Sequence, residues 1–336
     1  MKALLIDQNG PRLDAAYTDP TRSDPTALVR VLCVGVGGLD LAAVAGRIEH
    51  AGVLGHEIVG RVEACDADPA IVSATVAVDP ELPCGICDNC TAGMPRHCRS
   101  MQRLGFGSTD GGLAEFVAVP RRNLVRIPDG IETDAAVLSQ AVADAVHVSR
   151  LVPVQRTTYV TVVGDGVSAL LIAQILARRN ASVRLLGARS DRFGLCERWR
   201  IAHRDIREAG LRADQDVVVA CFDAEPTEAD LSGREAAERA LGMLRPRGAL
   251  VVSGPAVPIE GVGLDLSSAA DAVVAGELRL IGARRGAISE GVAAIAAGDV
   301  DLAPLITARA KLDDGVALLR TAADPTQLRT VVRVAA

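Results

Sequence analysis

Residues 157–190 read TTYVTVVGDGVSALLIAQILARRNASVRLLGARS, and the order of patterns inside them decides the fold. Residues 157–164 are mostly β-branched valine and threonine and read as a buried strand. Residues 167–180 carry apolar side chains at the i, i+3, i+4 spacing of a helix, and 182–187 return to a strand. Between strand and helix, Gly164, Gly166 and Ala169 match GxGxxG/A. The first position permits a tight turn, the second lets a pyrophosphate approach the backbone, and the third packs helix against strand. Amide groups at the helix start then face the phosphates of a dinucleotide. An acid ending the second strand would bind an unphosphorylated ribose, but Arg189 and Ser190 stand there. A guanidinium and a hydroxyl suit a 2'-phosphate, so NADP(H) is favoured over NAD(H). The alternative is that Asp191 takes the ribose of NAD(H).

Moving outward, DVVVACF (216–222), GALVVSG (248–254) and LRLIG (278–282) read as further strands and EAAERALGMLR (235–245) as a helix. Strand and helix alternation predicts a doubly wound parallel sheet over this region. Before residue 150 the pattern differs. ALVRVLCVGV (27–36), EIVGRVEAC (57–65), ATVAVDP (74–80), LAEFVAVP (113–120) and LVRIP (124–128) are short β-rich segments broken by Gly, Pro and Asp, which predict a compact β domain. The stretch 304–334 predicts one helix and a closing strand. With 336 residues, 49% of them hydrophobic, the chain can build two domains with separate cores. No apolar run reaches the ~18 residues of a membrane span, and the N-terminus lacks a cleavable apolar region, so a cytoplasmic protein with no membrane partner is expected. A net charge of −6 without a basic block argues against nucleic acid. The 2% aromatic content argues against a sugar-stacking platform.

Cysteines carry the second strong pattern. Cys84, Cys87, Cys90 and Cys98 fall in CGICDNCTAGMPRHC, while the other cysteines are scattered. The CxxCxxCx7C spacing lets four thiolates surround one tetrahedral zinc, with Gly85 and Gly93 easing the turns. An iron–sulfur cluster also takes four thiolates, but the last interval is longer than in the bacterial ferredoxin run. Four protein ligands leave no open coordination position, so this zinc would be structural.

These segments occur in a familiar order: GVLGHEIVGRV (52–62), the cysteine lobe at 84–98, GGLAEFVAVP (111–120), LVRIPDG (124–130), VVGDG (162–166) and LITARAKLDD (305–314). In this the chain resembles the zinc-type medium-chain alcohol and polyol dehydrogenases. The resemblance implies an α/β protein made of a GroES-like β domain (1–150) and a Rossmann doubly wound domain (151–285). Residues 286–336 would return to the first domain, and the protein would be a homodimer or homotetramer acting on a small-molecule substrate.

The resemblance also exposes departures. Where the family carries a catalytic-zinc cysteine, a histidine and a later glutamate or cysteine, this chain has Gly37, His56 and Gln140, and Leu39 replaces the hydroxyl residue that relays the substrate proton. Asp40 and Glu57, which match the family's supporting acids, remain. Glycine offers no donor and an amide is a weak, neutral one, so the site is expected to lack a catalytic zinc. Glu49 and His50 are conceivable substitute ligands, although exposed loop residues are the commoner explanation, and Cys33, four residues before Gly37, stands more than ~10 Å away along an extended strand. Three functions stay open: an NADP(H)-dependent oxidoreductase of small alcohols or carbonyl compounds with His56 as acid, a zinc-independent reductase of enones or quinones, and a dinucleotide-binding pseudoenzyme.

Overall fold

A computed structural model describes residues 1–21, 25–179, 182–222, 233–255, 259, 265–267 and 269–334 of the protein. The chain divides into two compact units. One comprises Met1–Gln140 with Gly291–Ala296 and Leu302–Ala336; the other comprises Ala141–Glu290 with Ala297–Asp301.

In the second unit six strands pair in the order Ala202–Asp205, Val183–Gly187, Val160–Val163, Gln215–Cys221, Leu244–Ser253, Arg279–Ala283, every pair parallel. Counted along the chain this is 3-2-1-4-5-6, the order of a doubly wound dinucleotide-binding sheet. All four residues of Val160–Val163 are buried, which explains why that strand is mostly valine rather than alternating with exposed polar residues, and the hydroxyl of Thr161 donates to Gln215 Oε1 at 2.7 Å. The helix Val167–Arg179 follows it and buries Leu170, Leu171, Ile172 and Leu176 completely. Each such side chain contributes about 1.5–3 kcal/mol relative to exposure. Val163, Leu186, Val218, Leu241 and Leu250 belong to one buried cluster that joins neighbouring strands to the helix Gly233–Met243.

In the first unit the main sheet runs Leu124–Arg126, Thr75–Val78, Glu57–Cys65, Thr26–Val36, Arg329–Arg333, Ile306–Lys311, with Phe116–Pro120 also paired to Thr26–Val36. The stretch 304–334 contains two strands, not one, because ITARAK alternates half-buried or buried with exposed residues along Ile306–Lys311 and pairs in parallel with Arg329–Arg333. Arg329–Arg333 lies antiparallel to Thr26–Val36, with Thr330 facing Val36 and Val331 facing Gly35. On the other edge of Thr26–Val36, Gly35 faces Glu57. Gly37 follows in extended conformation (φ −151°, ψ −164°) and caps the helix Gly38–Val44. Gly35 and Gly37 are two apart on extended backbone, so both lack a side chain on the same face. Among the described residues, no helix is long and apolar enough to cross a membrane.

Candidate functional site

The turn after Val160–Val163 joins the glycine motif to the helix Val167–Arg179. Gly164 has φ +120°, and a Cβ on it would stand 2.9 Å from the Cys221 carbonyl oxygen, so the backbone there is a cradle that only glycine keeps open. Ala169 is buried beneath it. These residues fit a bound pyrophosphate. Arg189 does not stand free: its Nε and Nη2 donate to the Asp191 carboxylate at 3.1 and 3.0 Å, and these bonds draw the Asp191 carboxyl below its ordinary range. Ser190 opens the short turn Ser190–Arg192 and is exposed. Asp165, hidden in the motif as an unspecified position, is buried and accepts the N–H groups of Ala188 and Arg189 at 2.7 and 2.8 Å. Arg192 pairs with it at 3.2 Å. This acid therefore ties the glycine turn to the end of the second strand.

The sulfurs of Cys84, Cys87, Cys90 and Cys98 all lie within 4.8 Å of one another. Cys87 and Cys98 are 3.9 Å apart, and Cys84 and Cys98 are 3.5 Å apart. A tetrahedral zinc with Zn–S bonds of ~2.3 Å sets its sulfurs ~3.8 Å apart, so the donor set fits a closed zinc site. Gly85 and Gly93 turn the chain at φ +79° and +77°. Backbone N–H groups of Arg99 and Cys90 bring the Cys87 thiol down to about 6, toward the thiolate a metal needs. Arg96 anchors the lobe by pairing with Asp79 at 2.7 Å and Glu81 at 3.2 Å.

The third cluster gathers around the end of Thr26–Val36. His56 Nδ1 meets Asp40 Oδ1 at 3.3 Å, and Asp40 Oδ2 accepts the Gly37 N–H at 3.1 Å. The His56 ring also packs on Phe106, centroids 5.1 Å apart. Burial of Asp40 opposes its charge, but His56, the Gly37 amide and Arg329 outweigh that and hold its carboxyl below the ordinary range. Glu57 Oε1 pairs with Arg329 Nη2 at 3.2 Å, both side chains being nearly buried. A Cβ on Gly37 would fall on Arg329 Nη1 and stand 2.7 Å from its Cζ, and one on Gly35 would fall on Glu57 Oε2. The two missing side chains thus leave room for a buried acid–guanidinium pair. Gln140 is buried near the start of the helix Ser139–Val148.

The other donor side chains near this cluster are held elsewhere or exposed. Cys33 donates to the Thr133 carbonyl at 3.5 Å, and burial pushes its thiol up to about 12. His50 sets its ring nitrogens against the carbonyls of Gly107 and Val53, and Glu49 is exposed. Among the described residues, the four cysteines are the group of three or more metal-ligating side chains that converges.

Residues 23–129 match the alcohol dehydrogenase GroES-like domain family. This domain carries the His56 cluster and the cysteine lobe. Over these residues the chain is similar to the alcohol dehydrogenases.

Among curated relatives, L-threonine 3-dehydrogenase of Streptomyces coelicolor is 34% identical over 196 residues, which are 54% of this chain and 56% of that protein. The chain spans about half the length of the curated relatives it matches. Solved structures share the whole fold. A protein from Sinorhizobium meliloti 1021 described as a zinc-binding dehydrogenase, bound to NADP, superposes with TM-score 0.86 at 23% identity over 99% of both chains. RspB from Escherichia coli CFT073, in complex with NADH, gives TM-score 0.84 at 21% identity over 99% of both chains. Arg329 was not a candidate in the sequence. It lies far along the chain from His56, and only the antiparallel register of Arg329–Arg333 brings it beside Gly37.

Proposed function

We propose that the protein is an NADP(H)-dependent oxidoreductase acting on a small alcohol or carbonyl compound, with one zinc in the cysteine lobe and none at the His56 cluster. The observation that carries this reading is the buried His56–Asp40 pair beside Gly37, in a chain that also carries the Gly164 turn. In this reading the β-rich unit is catalytic and the parallel-sheet unit binds the dinucleotide. The bound nicotinamide supplies or accepts the hydride. His56, held by Asp40, exchanges the proton at the substrate oxygen.

A catalytic zinc does not fit the residues present. Gly37 has no donor, Gln140 offers only a neutral amide, and the guanidinium of Arg329 fills the space a ligand at position 37 would use. A divalent ion there would face a fixed positive charge. NADP(H) is supported by Arg189 and Ser190 once Arg189 exchanges Asp191 for a 2'-phosphate. Homo-oligomer formation, as dimer or tetramer, is supported by the exposed strand Arg279–Ala283 at the edge of the parallel sheet, where Leu280 is exposed, and by the exposed Val274 close by in sequence.

The test combines metal analysis with NADPH oxidation against aldehydes, ketones and enones. One zinc per chain and turnover of an aldehyde or ketone are expected. Turnover of enones alone would replace this reading with a double-bond reductase. Tight NADPH binding without turnover would make the protein a pseudoenzyme, a reading that the loss of two zinc ligands favours.

A further inference from the structure

We propose that Asp165 is the positioning residue of cofactor selection: from inside the glycine turn it sets the segment 188–192 so that Arg189 and Ser190 meet a 2'-phosphate. The inference rests on the NADP(H) reading and names the group that builds the selecting surface. Every residue it uses belongs to the Ala141–Glu290 unit.

Four observations carry it. Asp165 closes the segment at both ends. Its Oδ2 accepts the successive N–H groups of Ala188 and Arg189 at 2.7 and 2.8 Å, while its Oδ1 and its carbonyl oxygen accept Arg192 Nη1 at 3.2 and 3.1 Å. Between these anchors the chain turns, the Arg192 N–H donating to the Arg189 carbonyl at 3.1 Å, so that Ser190 and Asp191 form an exposed tip.

The second observation is at the end of the second strand. A Cβ on Gly187 would stand 2.5 Å from Asp165 Oδ2 and 2.7 Å from its Cβ, so the strand end is bare where this carboxylate lies. In sites for an unphosphorylated ribose, the acid at the end of that strand accepts the ribose hydroxyls. Here the acid at that place comes from the glycine turn, and its oxygens are spent on the chain itself. Third, two successive backbone N–H groups make a concavity that binds an anion. Asp165 is 4% exposed, so its carboxylate fills that concavity from within, and a phosphate arriving from outside is left to the side chains of Arg189 and Ser190. Fourth, a buried carboxylate needs a counter-charge, and Arg192, 13% exposed, supplies it. Asp165 therefore shapes the tip without adding net negative charge against the ligand.

The experiment measures binding of 2',5'-ADP and of 5'-AMP to the full chain by calorimetry. Both probes carry only the adenosine half of the cofactor, and they differ by the 2'-phosphate. Wild type should prefer 2',5'-ADP. In Asp165→Ala the affinity for 2',5'-ADP should fall about tenfold or more, the worth of one charge-assisted hydrogen bond, while that for 5'-AMP changes by less than about threefold. Asp165→Asn keeps an oxygen for the two amides and should lie between wild type and Asp165→Ala. If Asp165→Ala does not fold, Gly187→Ala pushes the carboxylate aside without deleting it and should show the same selective loss. Equal losses for both probes would make Asp165 a prop of the glycine turn alone, and unchanged or tighter 2',5'-ADP binding would make it an idle or repelling charge. Each of these results overturns the inference by itself, as does an Asp165→Asn protein no better than Asp165→Ala. A wild type that does not discriminate between the probes would overturn the NADP(H) reading and this one with it.

Discussion

Gly37 and Arg329 hold a single volume between them: a Cβ at position 37 would stand 2.7 Å from Arg329 Cζ, and the guanidinium therefore depends on the absence of a side chain. Gly37→Ala should destabilise the wild-type protein by about 1–3 kcal/mol, as overpacking of a filled site does. In an Arg329→Ala background the same substitution should cost much less. Urea unfolding of the four members of the cycle measures the coupling, and strictly additive penalties would mean that the two groups do not compete.

The same competition governs any attempt to rebuild a metal site. Gly37→Cys, Leu39→Thr and Gln140→Glu together restore the family's ligands but leave the cation in place. The triple variant should still hold one zinc per chain by metal analysis. Adding Arg329→Ala should admit a second, provided His56 and Asp40 keep their pairing. A triple variant that already binds two would show that the arginine swings aside easily.

Zinc in the cysteine lobe should be separable from cofactor binding. Cys87→Ser removes one of the converging sulfurs, so zinc content should fall well below one per chain and the thermal midpoint by several degrees. NADPH affinity should be preserved, because the Gly164 turn belongs to the other unit. An unchanged zinc content would remove Cys87 from the ligand set.

Cofactor choice should respond to the acid that occupies Arg189. Replacing Asp191 by Ala frees the guanidinium from its two hydrogen bonds and removes a like charge from the neighbourhood of a 2'-phosphate. NADPH should then bind a few-fold to about tenfold tighter, with NADH little changed, since each 1.4 kcal/mol is tenfold. Arg189→Asp should reverse the preference. Titration of both nucleotides into the three proteins decides it, and equal responses would mean that Arg189 points elsewhere.

The Asp40 carboxylate makes a pH-dependent contribution to stability. Its folded value lies below the ordinary carboxylate value of about 3.9, so folding favours the ionised form. The stabilisation is complete above the unfolded value and is lost as pH falls toward the folded one. The gap in urea midpoint between wild type and Asp40→Asn should hence be constant above about pH 5 and narrow below about pH 4. A gap that widened in acid would reverse the sign assigned to this group.

The doubly wound sheet was legible because its information is local: a buried strand, a glycine turn and a helix follow one another within 157–187. The cysteine lobe was legible for the same reason, since its four sulfurs converge over fifteen consecutive positions, 84–98. The glycines at 35 and 37 could be read only as losses. Their positive meaning depends on Glu57 and Arg329, which reach that face from two different neighbouring strands. Asp165 escaped notice because a glycine motif leaves its position unspecified, while its partners, the amides of Ala188 and Arg189, are set by the turn ending Val183–Gly187.

The antiparallel pairing of Arg329–Arg333 with the end of Thr26–Val36 also sets a timetable. The ribosome makes Val36 long before Arg329, with the entire parallel-sheet unit in between. At ~5–20 residues per second that interval lasts on the order of 15–60 s. Throughout it, the half of the strand around Cys33–Val36 carries amide and carbonyl groups with one side unmatched, and such an open edge invites pairing with other chains. The nascent β domain must therefore wait, with that edge guarded by chaperone or by dilution, until the strand that closes it emerges.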